Sequence, residues 1–168
     1  MMMEYSRQIT RTLHQEHLAT LGFVDRLDTF LAQHRGNAAP PQGADLERLL
    51  GDLRATIGDA VAKHFEFEEG RLFPALVASF GDNAMVMILT QEHEILRPLA
   101  KQLVTLAGVG DNGFEAASWS EFHRQGWEFA ERMMSHIQKE EMGLLPALED
   151  VLDDEQDASL VEEYLMAG

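Results

Sequence analysis

The sequence predicts an all-α fold, an antiparallel up-down-up-down four-helix bundle with a short C-terminal helix. Three observations predict it. Apolar residues recur at steps of three and four through four long segments. Polar, Gly- or Pro-rich stretches separate those segments, and no run has a strand pattern. Finally, one stretch occurs twice. His64-Phe-Glu-Phe-Glu68-Glu-Gly-Arg-Leu-Phe-Pro74-Ala-Leu76 returns 72 residues later as His136-Ile-Gln-Lys-Glu140-Glu-Met-Gly-Leu-Leu-Pro146-Ala-Leu148, with seven of thirteen positions identical. Each copy has an upstream partner, Gln15-Glu16-His17 in one half and Gln91-Glu92-His93 in the other. The chain therefore reads as a single domain over residues 1–168, a helical-hairpin unit used twice, about 10–76 and 86–148.

The first helix is expected over residues 4–35, with Ile9, Leu13, His17, Leu21, Val24 and Leu31 on one face. Gly36 to Gly43, with Pro40 and Pro41, ends it. Asp45 is the expected cap of the second helix, whose stripe is Leu46, Leu49, Leu53, Ile57, Val61, His64 and Glu68. Gly70 and Pro74 mark its end or a kink. The third helix follows Gly81-Asp82-Asn83 and carries Val86, Leu89, His93, Leu96, Ala100 and Leu103, with a local bend at Pro98. Residues 108–117 read as a loop. Ser118 to Glu121 has the form of a capping box for a fourth helix bearing Phe122, Gly126, Phe129, Met133, His136, Glu140 and Leu144. The acidic run Glu149–Asp157 reads as solvated, and Ala158–Met166 as the short C-terminal helix.

Composition narrows the function classes. A net charge of −16 repels phosphate backbones and anionic lipid, so neither nucleic acid nor membrane is an expected partner. The absence of Cys excludes disulfides, thiolate metal sites and Cys nucleophiles. The first residues lack the apolar core of a signal peptide. No apolar run approaches the roughly 18 residues that a bilayer span needs. The expectation is a cytoplasmic protein.

The chemistry is in the placement of six polar residues. His17, His64, Glu68, His93, His136 and Glu140 all fall on the apolar stripe of their own helix. A carboxylate facing a core is costly unless it is paired or bound to metal. A metal centre satisfies all six at once. His and Glu at i and i+4 lie about 40° apart around a helix and about 6 Å apart along it, so both reach one site on the bundle axis. Two such pairs give two carboxylates bridging two metals, with His17 and His93 capping opposite ends. Imidazole with carboxylate suits iron, with zinc or manganese as competitors. Two divalent ions, two carboxylates and one hydroxide leave about one positive charge, a modest load for a buried site.

On these residues the sequence resembles the hemerythrin-like family, the HHE cation-binding domain, over about residues 10–150. The six residues match its ligand positions, and Leu-x-Pro trails both motifs. The resemblance implies a carboxylate-bridged, non-haem centre of two iron ions. Oxygen-carrying members have a second His one turn after the third-helix ligand, where this chain has Arg97. They also end the last motif with an Asp at longer spacing, where this chain has Glu140. The four-His, two-Glu set is that of the cluster-repair and iron-sensing branches, but the Cys-containing domain of the repair proteins is missing here. One His fewer implies more open positions for oxygen, nitric oxide, peroxide or water. The resemblance thus implies a protein that binds a small diatomic ligand, oxygen or nitric oxide, for carriage, storage or sensing. The alternatives are a redox enzyme acting on nitric oxide or peroxide or donating iron for iron–sulfur cluster repair, and an iron-storage or structural-metal protein.

Around these six, Phe65, Phe129, Met133 and Ile137 are expected to wall the site or simply to fill core. His14 reads as an outer or surface residue, and Arg97 as snorkelling at the bundle edge. Glu16 and Glu92, about 100° around the helix from the ligands, read as solvated, with orienting a ligand or lining an access path as the alternative. Glu69 and Glu141 are expected to point away, and His34 and His123 to be solvated.

Overall fold

The computed structural model describes residues 4–36 and 38–167. Every regular element among them is helical: α1 (Gln8–Gln33), α2 (44–80), α3 (Ala84–Gly110), α4 (116–151) and α5 (Asp154–Met166). No helix among the described residues is long and apolar enough to cross a membrane.

Where the helices start and stop differs from the sequence expectation in instructive ways. Arg7 precedes α1 and offers no capping side chain. The cap comes from α5, where the Asp157 carboxylate accepts from the N–H groups of Gln8 and Ile9, both at 2.8 Å. Glu149 accepts from Ser6 Oγ at 2.7 Å and from the Arg7 N–H at 3.1 Å. The acidic run expected to be solvated therefore fastens the start of α1, supplying acceptors for donors that a helix N-terminus leaves orphaned. Gly43 precedes α2, so Asp45 lies inside the first turn, where its charge opposes the helix dipole's positive end.

Neither Gly70 nor Pro74 ends α2, which runs on to Phe80 and stops at Gly81, a residue at φ 75°. The helix passes Pro74 by widening. Over Glu68–Leu72 it adopts π geometry, and the Phe73 N–H reaches back five residues to the Glu68 carbonyl. Pro74 then occupies the start of the next α-helical stretch, where its missing N–H is tolerated. The same device recurs over Glu140–Leu144, just before Pro146, with the Leu145 N–H on the Glu140 carbonyl. The wide turn begins at the motif Glu in both cases.

Asn83 caps α3, its side-chain oxygen accepting from the Val86 N–H at 2.9 Å. The helix continues through Pro98 to Gly110, three residues into the expected loop. Helix α4 starts at Ala116, where the Ser118 hydroxyl accepts from the Glu115 N–H at 3.0 Å, so the box is Glu115/Ser118 rather than Ser118/Glu121. Asp153 and Gln156 make a reciprocal box for α5, four residues ahead of its expected start.

Helix α3 packs along α4, α1 packs along α4, and α2 packs against α1 and α3, while α5 lies against α1. The apolar core is in two parts. One gathers Phe23, Leu27, Leu53, Phe65, Leu103, Trp119 and Phe129 with their neighbours. The other gathers Ile9, Leu13, Leu72, Leu76, Leu89, Leu145 and Tyr164 with theirs. Along each of the four long helices, the polar residues singled out above fall where one cluster gives way to the other.

Candidate metal centre

All six residues are buried and meet in that dividing layer. His17, His64, Glu68 and Glu140 bring ligand atoms within 4.8 Å of one another, and so do Glu68, His93, His136 and Glu140. The two carboxylates belong to both groups. Glu68 faces His64 with Oε2 and His93 with Oε1, both at 3.3 Å. Glu140 turns Oε2 to His17 at 2.9 Å and Oε1 to His136 at 2.5 Å. Each carboxylate thus offers one oxygen to either side. The imidazoles form two facing pairs, with Nε2 to Nε2 distances of 3.2 Å for His17 and His64 and 3.1 Å for His93 and His136.

The helices explain this convergence. Each His-x-x-x-Glu pair stands on one inward face of α2 or α4, and α1 and α3 add one His each from the facing sides. Phe65, expected as wall, lies flat on His93, and Phe73 covers its ring from 5.7 Å.

The outer edges of the imidazoles are also occupied. His17 Nδ1 meets Glu141 Oε2 at 2.8 Å, His64 Nδ1 meets Glu16 Oε1 at 3.0 Å, and His136 Nδ1 meets Glu92 Oε1 at 2.8 Å. His93 Nδ1 is 3.5 Å from Glu69 Oε2. So Glu16 and Glu92 are only partly solvated, 30% and 24% exposed as side chains, and Glu69 and Glu141 do not point away. All four turn to an imidazole, each on a helix other than its own. His14 Nδ1 supports Glu141 at 2.5 Å, and Arg97 pairs with Glu69 rather than snorkelling free. His123 is not solvated either, its Nε2 donating to the Leu31 carbonyl at 2.8 Å. The signal for the four outer acids was in the repeat itself: Glu-His and Glu-Glu recur at equivalent places in both halves.

This outer ring fixes the hydrogens. Burial alone would raise the carboxyls of Glu16, Glu92 and Glu141, but their hydrogen-bonding partners, the ligand-edge histidines among them, hold all three below the usual range. They are anions that can only accept, so the facing Nδ1 atoms of His17, His64 and His136 carry hydrogens, and the Nε2 atoms are the ones turned to the centre. There they face two buried carboxylates. Both oxygens of Glu68 and Oε1 of Glu140 are buried without a hydrogen-bond partner. Imidazole nitrogens facing one another at 3.1–3.2 Å beside two buried carboxylates need positive charge among them, as protons or as metal.

The protonation tendencies say the same. Burial pushes His17, His64 and His93 down, yet the surrounding carboxylates outweigh it and raise all three, His64 most clearly. Burial likewise pushes Glu140 up, and its contacts with Glu68, His136, His17 and His64 hold it well below the usual range. The cavity attracts positive charge, as protons or as metal. The donor set, two carboxylates each shared between two imidazole pairs, fits a di-iron site.

No curated protein and no solved structure matches the chain. The sequence model of the hemerythrin HHE cation-binding domain matches residues 8–148, which span every residue of the buried cluster, and the chain belongs to that family.

Proposed function

We propose that the protein holds two iron ions, bridged by Glu68 and Glu140, and binds a small diatomic ligand, oxygen or nitric oxide, for carriage, storage or sensing. His17 and His64 would hold one ion, and His93 and His136 the other. The observation that carries the reading is the convergence of four buried imidazoles on two buried carboxylates that belong to both ligand groups. The antiparallel up-down-up-down order of the four long helices belongs to the same reading. It is supported by the short connections at 81–83 and 111–115 and by the neighbour relations of the helices. So is the twice-used hairpin, supported by the matching wide turns at Glu68 and Glu140. Zinc or manganese would compete for the same donors.

When bound, iron supplies a reducible centre with positions that four imidazoles and two carboxylates leave open. The chain's own part is access and exclusion. A cavity of about 160 Å³ lies beside His17, His64 and Glu140. Its other walls are mostly small or apolar, among them Ala19, Ala55, Ala60, Val61 and Met133, with Glu16, Thr20 and Thr56 as polar members. That is room for a few water-sized molecules, each with a share of about 30 Å³, and none for a bulky substrate. The apolar walls and the Glu16 carboxylate together favour a neutral diatomic over an anion. On the other side, the Phe65 and Phe73 rings cover His93. The outer carboxylates hold each imidazole in one tautomer and orientation.

The test is metal content in protein purified without added metal, followed by spectra of the reduced protein in oxygen or nitric oxide. Near two irons per chain, with a reversible absorption band, is the expected result. Rapid irreversible oxidation would replace the binding reading by a redox or storage role. Zinc alone, or no metal, would overturn the iron assignment.

A further inference from the structure

The two halves of the centre match in their imidazoles and in the carboxylates behind them. They part company one residue further out. Behind His93, Glu69 is paired with the Arg97 guanidinium. Behind His136, Glu92 is paired with the Lys139 ammonium. Behind His64, Glu16 accepts from the neutral Tyr164 hydroxyl, and behind His17, Glu141 is joined by the His14 imidazole. The nearest other cation on that side, Lys63, sits over the Tyr164 ring, 4.4 Å from its centroid, and makes no ion pair with Glu16 within 4 Å.

The consequences run in one direction. A carboxylate compensated by a cation polarises its imidazole less than a free anion does, and it adds less negative potential at an ion a few ångströms away. The His93 and His136 side has both outer charges cancelled by direct ion pairs. The His17 and His64 side keeps a neutral phenol on one acid and an imidazole on the other. We infer that the two ion positions are unequal, the one between His17 and His64 binding a divalent cation more tightly and filling first, because Arg97 and Lys139 neutralise the outer carboxylates of the other. This rests on the two-ion reading of the centre. Arg97, Lys139, Tyr164 and His14 are then positioning residues that act on the ions only through Glu69, Glu92, Glu16 and Glu141. A practical corollary is that a limiting supply of metal yields one-ion chains with a uniform occupancy pattern, and a mixed-metal centre can be assembled in a set order.

The experiment is calorimetric titration of the metal-free chain with cobalt(II) at about pH 8, where protons compete less for the donors than at neutral pH, with the same buffer for every variant. Two classes of one ion each, separated by about tenfold or more in affinity, are expected on the usual scale of outer-layer effects. Arg97→Gln combined with Lys139→Gln should tighten the weaker class by about tenfold and leave the stronger one in place. Glu16→Gln combined with Glu141→Gln should weaken the stronger class instead. Arg97 and Lys139 are more than two-fifths exposed as side chains, so their replacement leaves the core intact, which circular dichroism would verify. Two ions of equal affinity in the unaltered chain would overturn the inference while leaving the site standing. So would two classes that the Arg97→Gln and Lys139→Gln pair does not shift. Fewer than two ions per chain would overturn the two-ion reading itself, and the inference with it.

Discussion

Phe65 and His93 lie face to face, ring centroids 3.8 Å apart and planes within 13°. Phe65 is also in the upper core and 5.4 Å edge-on from His136. One side chain therefore packs the core and steadies two imidazoles. Phe65→Ala should cost about 3–5 kcal/mol, the usual range for emptying a buried phenyl site. It should also let His93 turn, so metal retention falls alongside stability. Phe65→Leu should keep most of the volume, and with it most of the stability, but lose the flat contact. Denaturant midpoints and metal content of the two variants separate the two roles.

Glu68 should behave in opposite ways with and without metal. Its two oxygens are buried and unpartnered. Glu68→Gln removes a charge and one bridging oxygen, so bound metal should fall from two ions toward one or none. In the metal-free chain the same change should leave stability unchanged or raise it by about 1–2 kcal/mol, since neither buried oxygen has a hydrogen bond to lose. A loss above about 1 kcal/mol in the metal-free variant would mean that Glu68 is well satisfied without an ion.

The pH dependence of the metal-free chain follows from the opposed shifts in the centre. Glu140 is held below its ordinary 4.5, against the pull of burial, by its contacts with Glu68 and then with His136, His17 and His64. Its contribution is present above 4.5 and is lost as pH falls through the lower folded value. His17, His64 and His93 are held above 6.5, again against burial. Their contribution is complete below 6.5 and is lost as pH rises through the folded values. The metal-free chain should therefore be most stable between those limits and weaken toward alkaline pH. Metal replaces the protons, so the gap in melting temperature between loaded and metal-free protein should widen from about pH 6 to about pH 8. A constant gap would count against direct competition between proton and metal.

Asp157 is far from Gln8 and Ile9 in sequence, yet it bonds both of their N–H groups. Asp157→Ala should cost about 1 kcal/mol, the usual worth of an N-cap. The exposed neighbour substitution Glu155→Ala should be within about 0.5 kcal/mol of neutral. Thermal melts of both variants provide the comparison.

The six inward residues were legible because two independent signals coincided: helical periodicity put them on apolar faces, and the repeat put them there twice. The outer acids were misread for a geometric reason. A helical wheel describes a residue relative to its own axis, and Glu16 does point about 100° away from His17. The imidazole it meets is His64, on the adjacent helix. The acidic run was read as solvated for a related reason, since its Asp157 serves a helix at the other end of the chain. Pro74 was read as an end or a kink because an α-helix cannot carry it without loss, but a π turn ahead of it lets the helix run on. Nothing in composition or spacing announces that turn, although its return before Pro146 shows that both copies solve the same problem alike.

The polar layer also separates the two apolar clusters, each of which draws residues from all four long helices. Without an ion, the layer between them is a set of mutually repelling acceptors and shared protons. The clusters are then two cooperative units joined by a weak seam, able to open on different timescales. With ions in place, the same seam becomes the strongest cross-link in the molecule, because each bridging carboxylate ties together ligands from more than one helix. Occupancy would then set the size of the unit that unfolds as a whole. Amide exchange in the cluster around Leu76 and Leu145 would then register the filling of the centre.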